Sequence, residues 1–491
     1  MAYSPVLGLG GVTLLIVYIL HLRHRRAAAA RAHGCGVARK YRSKEPFLAF
    51  DLWMGMHMDL PIVHRLHQRI GQTFEARSWL AQPWVATIAP ENIHAVHTGK
   101  DWGIQPMRLA GMEGFRGRGF LTTDGDIWSR SRKMMKPTFA KHNLVNFEFM
   151  NTQMDNMLRE IEGKEGETFN IQPMFFTMFL HNSMDFLLGV DATKNSTDQP
   201  YTSAQFQNAF QDGLFLTMIR VVIGRAWKLL PKKKYITACN TAHKYIDYYV
   251  NQAFEEPQKS LQDNTNTGQR RSMVGELSRQ TDERKYIRSQ IMQGMMASQD
   301  TISALLGNMF FLLSRHPQYW EQVRDATLDR DVTDFTFDDL LNFKLVQNII
   351  LESLRIYPVF PLMSRTALQD TILPVGAGPN QNLPTFVPKG AFVVLSYYAL
   401  HRNQDVFGAD VENFRPERWD NINPSQWEFM GFGGGLRACL GRPKVLVEAA
   451  YVVVRLVKEF KLLQSRDPLE WKGDLRLTCK SANGCKIALF K

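Results

Sequence analysis

Residues 432–443 read Phe-Gly-Gly-Gly-Leu-Arg-Ala-Cys-Leu-Gly-Arg-Pro, and this stretch carries the most specific pattern of the chain. An apolar helical pattern follows it, so Cys439 stands in a glycine-rich loop directly before a helix. Backbone N–H groups and the helix dipole favour a thiolate at such a place. The glycines allow the backbone to close around the sulfur and to approach a flat cofactor. The stretch therefore predicts a cofactor-binding thiolate at Cys439.

The order Phe432, Gly435, Arg437, Cys439 and Gly441 resembles the haem-binding signature F-x-x-G-x-R-x-C-x-G of the cytochrome P450 family. The resemblance implies that Cys439 is the axial thiolate ligand of haem b iron. It also implies that Arg437 pairs with a haem propionate and that Phe432 packs beside the sulfur. Gly435 and Gly441 are carried over as cofactor-binding positions of the same loop.

Glu352 and Arg355 stand three residues apart on a predicted helix with apolar neighbours, where the two side chains can pair. A buried ion pair needs further partners to offset its desolvation. The pair resembles the E-x-x-R motif of the same family, which an arginine from a later P-E-R segment completes, here Arg418. The resemblance implies a structural role for these three residues on the haem side of the core.

Three further residues resemble haem-propionate contacts of the family. Trp128 and Arg132 match its W-x-x-x-R helix, and Arg365 corresponds to an additional cation. Together with Arg437, the two arginines would place three cations around two buried carboxylates, a favourable charge balance.

A long helix is predicted from Arg284 to Arg315 by apolar residues at three-to-four spacing. Near its middle, Ala297-Ser298-Gln299-Asp300-Thr301 resembles the family's A/G-G-x-D/E-T segment. The resemblance implies that Asp300 and Thr301, with ordered water, deliver protons to dioxygen at the haem. Ser298 departs from the usual glycine, and a serine can bend a helix by bonding to a carbonyl one turn earlier.

The remaining patterns predict a mainly helical α+β fold. The resemblance implies the cytochrome P450 fold, one large helical domain with small β-sheets. The predicted elements are short strands over 73–77 and 84–89, a polar surface loop over 257–283, an extended segment over 391–398 and a helix over 444–460.

The N-terminus predicts a membrane anchor. No charged residue occurs in residues 1–20, and arginines follow from Arg23 onward. A stretch of about 20 apolar residues spans a bilayer, and positive charge after it keeps the following chain in the cytosol. We expect a transmembrane anchor over 1–22, a basic linker over 23–45 and a catalytic domain over 46–491. The expected location is the endoplasmic reticulum, with a cleaved signal peptide as the alternative.

The chain has 491 residues, a formal charge of +12 and five scattered cysteines. Scattered cysteines are typical of a reducing compartment, and Cys479 and Cys485, which flank Asn483-Gly484, are expected to be unpaired strand residues, although a hairpin could bring them face to face. The basic residues are spread along the chain without an aromatic module, which disfavours nucleic acid. Membrane lipid headgroups and an acidic redox partner are the expected anionic partners.

Three segments, 364–368, 386–390 and 442–460, resemble the fungal alkane and fatty-acid hydroxylase branch of the family. The resemblance implies a monooxygenase that hydroxylates the aliphatic chain of a lipophilic substrate, with electrons from an NADPH-dependent reductase. Tailoring of a fungal secondary metabolite such as a polyketide is the alternative, and a non-catalytic haem sensor or a haem-thiolate isomerase are alternatives of other classes. The expected pocket residues are Met292, Met296, Ala297, Leu362, Met363 and residues 104–115.

Overall fold

The computed structural model describes the chain except for residues 1–3, 46, 77, 79–81, 195–196 and 256–269, and for residues 4–12, 15 and 225–227 it describes the backbone alone. The chain divides into two compact units. The first unit comprises Met1–Gly103, Pro361–Gly408 and Pro424–Arg437, and the second comprises Ile104–Phe360, Ala409–Asn423 and Ala438–Lys491.

The strands are short and numbered in chain order. They are β1 (Lys40–Tyr41), β2 (Thr73–Ala76), β3 (Trp84–Thr87), β4 (Trp102–Gly103), β5 (Phe169–Asn170), β6 (Met363–Ala367), β7 (Thr371–Ala377), β8 (Leu383–Val387), β9 (Phe392–Leu395), β10 (Leu462–Ser465), β11 (Gly473–Leu475), β12 (Cys479–Ser481) and β13 (Lys486–Phe490). The predicted strands at 73–77 and 84–89 are β2 and β3, although Arg77 lies outside the described residues. The segment predicted to be extended over 391–398 contains β9, but it is not extended throughout, because the helix Tyr397–Leu400 begins within it.

The first unit is built on a six-stranded sheet of order β1-β2-β3-β9-β6-β4, beside a β7-β8 hairpin. Its helices are Ser4–Ala32, Phe50–Met58, Pro61–Ile70, Pro90–Thr98, Tyr397–Leu400 and Gln404–Phe407, with a 3-10 turn at Gly435–Arg437. β9 is central because its Phe-Val-Val-Leu run suits a pleated, buried surface. It pairs in parallel with β3 and antiparallel with β6, where Arg365 lies opposite Val393.

The second unit is mainly helical, with a β10-β13-β5 sheet and a β11-β12 pair. Its α-helices are Gln105–Arg116, Gly125–Met135, Lys141–Leu144, Phe147–Glu162, Gln172–Leu188, Ser203–Ile223, Lys233–Glu255, Met273–Ser278, Arg284–Leu313, Pro317–Asp325, Phe337–Leu341, Lys344–Ile356 and Arg442–Glu459. The 3-10 turns are Lys136–Phe139, Gly224–Leu229, Val332–Asp334 and Pro416–Asp420. The predicted mainly helical fold with small sheets is confirmed.

The predicted long helix is confirmed as Arg284–Leu313, 30 residues or about 45 Å of uninterrupted helix. It contains no proline, and Pro317 opens the next helix directly after it. Helix Gln172–Leu188 packs along it so closely that a Cβ at Gly294 would stand 2.9 Å from Leu187. Residues on both sides of its middle are buried, which makes this helix the core of the second unit.

Two further expectations from the sequence need correction. The stretch 257–283 is not a loop throughout, because Met273–Ser278 forms a helix that the Ser272 side chain caps and whose apolar face is buried. Residues 257–269 of this stretch lie outside the described part of the chain. The chain across Asn483-Gly484 is not a hairpin, since β12 pairs with β11 and β13 with β10 and β5.

Cys479 and Cys485 are buried free thiols, as expected, and burial raises the pKa of each to about 12. Cys479 is a strand residue, whereas Cys485 lies outside the strands. At the N-terminus, the helix Ser4–Ala32 continues past the predicted end of the anchor. Across the described residues, no helix combines the length and the apolar character that crossing a membrane requires. The anchor over 1–22 stays a prediction.

Candidate active site

The cysteine loop enters the second unit at Ala438, and helix Arg442–Glu459 begins three residues after Cys439. The Cys439 side chain keeps an open face, although the surrounding protein desolvates it enough to raise the pKa of the thiol. Backbone N–H groups of Gly441 and Arg442 donate to the sulfur and oppose that rise. An accessible sulfur with two backbone donors is a donor set that fits thiolate ligation of haem iron.

Arg132 lies beside this loop, as its predicted role requires. Its Nη2 donates to the carbonyl oxygen of Ala438 at 2.7 Å, and its charge opposes the raised pKa of the Cys439 thiol. Desolvation lowers the pKa of Arg132 itself, which marks a partly buried cation. Trp128 lies one turn earlier on the same helix and is also half-buried. At Gly441, a Cβ would stand 3.8 Å from the sulfur, so glycine keeps the space beside it open.

In the first unit, Arg365 and Arg437 both act on His97, a residue that the sequence analysis did not single out. Burial and then these two cations lower the pKa of His97 to about 3, so the imidazole is neutral. Its Nε2 shares a hydrogen bond of 2.7 Å with the Tyr397 hydroxyl. The structure thus places one neutral histidine within electrostatic reach of two of the predicted propionate partners.

Gly435 precedes Arg437 in the 3-10 turn and has φ of +64°, a conformation that favours glycine. A Cβ there would also stand 3.4 Å from the His97 carbonyl oxygen and from Trp427. Phe432, three residues earlier, is half-buried in the first unit. The glycine therefore determines the path by which the chain reaches Arg437.

The predicted partnership of Glu352, Arg355 and Arg418 is confirmed, and all three side chains are buried to 1% exposure or less. Arg355 binds the Glu352 carboxylate through Nε at 2.9 Å and Nη2 at 2.8 Å, and Arg418 Nε lies 3.3 Å from it. The indole of Trp419 and the backbone N–H of Arg415 also donate to this carboxylate. We call Glu352, Arg355 and Arg418 the Glu352 cluster.

The middle of the long helix differs from its flanks. Residues 297–301 are partly exposed, whereas 290–296 and 302–313 are buried. This turn is therefore the least buried part of the central section of the helix. It is the turn that carries Asp300 and Thr301, as a site for reaction with a small molecule requires.

Asp300 and Thr301 hold different hydrogen bonds. Thr478 Oγ1 donates to Asp300 Oδ2 at 2.6 Å, while the Thr301 hydroxyl donates to the Ala297 carbonyl at 2.7 Å. Burial raises the pKa of Asp300, and the Thr478 hydroxyl followed by nearby cations, Arg116 among them, opposes the rise. The helix thus presents a desolvated carboxyl next to a hydroxyl that can rotate away from its carbonyl.

Ser298 does not form the bond to a carbonyl one turn earlier that a serine can make in a helix. Its hydroxyl accepts a hydrogen bond of 2.9 Å from Ser183 on helix Gln172–Leu188. Thr301 makes the bond to a carbonyl instead. The two helices pack closely, so that the Ser183 hydroxyl lies within hydrogen-bonding distance of Ser298. The glycine that is usual at this position would offer no polar side chain for this bond.

Comparison with known proteins agrees with the signature. The family model described as cytochrome P450 matches residues 46–481. The chain is 31% identical to cytochrome P450 monooxygenase FPY7 of Fusarium mangiferae over 98% of this chain and 96% of that protein. It is 33% identical to cytochrome P450 52E1 of Candida apicola over 83% of this chain and 82% of that protein.

Among solved structures, the crystal structure of the cytochrome P450DA haem domain resembles the chain with a TM-score of 0.74 at 19% identity. The match covers 93% of this chain and 98% of that structure. At this level of identity the likeness concerns the fold.

Proposed function

The chain belongs to the cytochrome P450 family and is a monooxygenase, and from this premise we propose that it hydroxylates the aliphatic chain of a fatty acid or alkane. The observation that carries the proposal is the partly exposed turn 297–301, which directly follows the buried methionines Met292, Met295 and Met296. Methionine side chains are apolar and adaptable, and they suit a flexible hydrocarbon chain.

The cofactor is haem with a cysteine thiolate as axial ligand. We propose Cys439 as this ligand, supported by its open sulfur and by the N–H groups of Gly441 and Arg442. Haem supplies the activation of dioxygen. The chain contributes a desolvated sulfur whose negative charge is stabilised by backbone dipoles, which tunes the electron donation of the ligand.

For the haem propionates, we keep the partners that the family resemblance implies. We propose that Arg132, Arg365 and Arg437 each bind a propionate oxygen, with Trp128 supporting Arg132. Neutral His97 joins the set as a hydrogen-bonding group, since its low pKa keeps a further charge away from Arg365 and Arg437. A carboxylate beside arginines forms charge-assisted hydrogen bonds, the strongest type available to it.

For proton delivery, we propose Asp300 and Thr301. Hydroxylation places one oxygen atom of dioxygen in the product alcohol and releases the other as water, which consumes two electrons and two protons. The raised pKa of Asp300 makes its carboxyl a proton donor closer to neutral pH than an ordinary aspartate. The Thr301 hydroxyl can exchange its carbonyl bond for one to water and relay the proton.

As a member of this family, the chain uses a redox partner and a lipophilic substrate. We propose that an NADPH-dependent cytochrome P450 reductase supplies the electrons. We further propose a transmembrane anchor over 1–22, a linker over 23–45 and a catalytic domain over 46–491 at the cytosolic face of the endoplasmic reticulum. The uncharged residues 1–20 and the arginines after them support this topology.

A two-stage experiment tests the proposed substrate. The purified ferric protein is first screened for spectral shifts with fatty acids, alkanes and polyketide-like compounds. Each binder is then incubated with reductase and NADPH, with reactions lacking NADPH as the control. We expect an NADPH-dependent alcohol from a fatty acid or alkane. An NADPH-dependent product from polyketide-like compounds alone would favour tailoring of a secondary metabolite, and no product from any binder would favour a sensor.

A further inference from the structure

Arg116 is a fully buried cation at the end of helix Gln105–Arg116, with 1% of its surface exposed. Its burial lowers the pKa of the guanidinium to about 10. The group therefore remains charged at neutral pH. A charge removed from water costs several kcal/mol unless partners replace the lost hydration.

The chain provides few such partners for Arg116. Its Nη1 lies 3.5 Å from the sulfur of Met112, a weak acceptor, and its buried Nε has no hydrogen-bond partner. No ion pair to Arg116 is formed by any carboxylate in the described part of the chain. Tyr235 and then Asp300 lie within electrostatic reach, but neither forms a hydrogen bond with Arg116, and the Asp300 carboxylate accepts one from Thr478. The guanidinium thus lacks the planar acceptor that its geometry matches.

Other arginines of the second unit that are buried to a similar degree bind oxygen acceptors, although Arg220, like Arg116, has a buried Nε without a partner. Arg355 and Arg418 share the Glu352 carboxylate, and Arg220 donates to the carbonyls of Leu216 and Pro231 while it stacks 3.7 Å from the Tyr235 ring. Among these four arginines, Arg116 is therefore the one whose guanidinium is bound to no oxygen acceptor of the described residues. Strongly perturbed, unpaired buried charges occur preferentially at functional sites.

Arg116 is also fixed next to the candidate active site. Gln293 Nε2 of the long helix donates to the Arg116 carbonyl oxygen at 3.1 Å, two helical turns before Asp300. The side chains beside it in sequence and on the facing helix are apolar and buried, among them Met112, Phe115 and Met292. The surroundings thus combine one cation with an apolar lining, as a site for an amphiphilic ligand does.

We propose that Arg116 binds the carboxylate of an acidic lipophilic substrate and so anchors its polar end. The inference rests on the proposed monooxygenase function and deepens it, because it selects lipophilic acids over alkanes and esters. A carboxylate accepts two parallel N–H bonds from one guanidinium, and it would neutralise the charge that the chain leaves unpaired.

The first test measures affinity in the ferric protein, where no turnover occurs. A long-chain fatty acid, its methyl ester and acetate are titrated against the wild type and the variants Arg116→Met, Arg116→Lys and Arg118→Gln. Arg118 is the matched control, since it is a half-exposed cation two residues away that pairs with Glu113. We expect Arg116→Met to weaken acid binding about tenfold or more and to leave ester binding unchanged.

The two remaining variants report on geometry and on general charge. Arg116→Lys keeps the charge and loses the planar fork, so its affinity for the acid should lie between those of the wild type and Arg116→Met. Arg118→Gln should bind both ligands as the wild type does. Arg116→Lys also keeps the test decisive if the methionine variant does not fold.

A second readout separates a ligand-binding role from a structural one. Without acid, Arg116→Met should melt at a higher temperature than the wild type, because it removes an uncompensated buried charge. The fatty acid should then raise the melting temperature of the wild type and not that of the variant. A lower melting temperature of Arg116→Met together with unchanged acid affinity would identify a structural arginine.

Other outcomes would also overturn the inference. Equal affinity of the wild type for acid and ester, or equal loss of both in Arg116→Met, would show that the carboxylate is not recognised. Acetate binding that depends on Arg116, without any preference for the long-chain acid over its ester, would reveal a small-anion site only. Unchanged affinities of Arg116→Met for acid and ester, together with slower turnover, would show that Arg116 acts through Asp300 and does not bind the substrate.

Failure of the proposed function itself is recognised separately. In that case no substrate would be turned over in an NADPH-dependent reaction. The acid and ester titrations would still report on Arg116.

Discussion

The Glu352 cluster and Arg116 lie in the same unit and are buried to the same degree, but the chain treats their charges in opposite ways. Glu352 receives two guanidinium groups, an indole N–H and a backbone N–H, so its ion pairs are complete without any ligand. Arg116 has one thioether within reach and a bare Nε. The difference separates charges that hold the fold together from charges that the fold prepares for a bound molecule.

The largest expected effect follows from breaking the complete cluster. Arg355→Ala leaves Glu352 with half of its countercharge and frees the carbonyls of Val411 and Asn413, which Arg355 also binds. Loss of one partner of a buried ion pair costs about 3–5 kcal/mol, a large share of the stability of a domain. We expect little or no folded, haem-containing protein, measured as haem per purified polypeptide.

Arg118→Ala is the control for this variant, because its side chain is 51% exposed and should change the free energy of unfolding by less than about 0.5 kcal/mol. A soluble Arg355→Ala protein with full haem content would contradict the structural role of the cluster.

Cys439 is expected to behave in the other way, as a residue that serves the ligand more than the fold. We propose that its desolvated thiol binds haem iron, which does not belong to the polypeptide. Cys439→Ser should therefore keep its circular dichroism and lose both the thiolate-type spectrum and all monooxygenase activity. Cys35→Ser, at a half-buried free cysteine of the first unit, should leave all three unchanged. Retention of the spectrum by Cys439→Ser would refute the proposed ligand.

Asp300 stands between the two classes, because the chain satisfies it with one hydroxyl and still leaves it desolvated. The bond from Thr478 favours the ionised carboxylate, so Thr478→Val should raise the already elevated pKa of Asp300 further. If the protonated carboxyl supplies the proton, turnover falls as pH rises through this pKa. The alkaline limb of the kcat profile should then move to higher pH by about one unit.

Thr478→Ser keeps the hydroxyl and is the matched control for this profile, which should remain at the wild-type position. An unchanged limb in Thr478→Val would show that Asp300 does not limit proton delivery. A shift to lower pH would contradict the expected effect of the hydrogen bond from Thr478, which lowers the pKa of Asp300.

The sequence predicted those parts of the site that are written as contiguous motifs. The Glu352–Arg355 pair was found because fixed spacing carries its identity. The proposals for Cys439 and Arg132 rest on motifs of the same kind. Thr478 was missed because it lies 178 residues after Asp300, between β11 and β12, and no spacing links a residue of such a connection to a helix. Arg116 was missed as a site residue because its sequence neighbours give no sign that a charged helix end is buried. His97 was missed because nothing in the sequence of its helix indicates that Arg365 and Arg437 act on it electrostatically in the fold.

The smallest expected effect concerns a neutral pair, Ser183 and Ser298, whose hydroxyls satisfy each other between two packed helices. Ser183→Ala should cost about 1 kcal/mol in the free energy of unfolding, since it removes one partly buried hydrogen bond without leaving a charge unpaired. Ser298→Ala should cost a similar amount. Because each substitution removes the same bond, the double variant should be less destabilised than the sum of the two, by about 0.5–1 kcal/mol. Chemical denaturation of the four proteins measures this coupling. Strict additivity would mean that the bond contributes nothing, and Ser298 would then differ from the usual glycine without any compensation from Ser183.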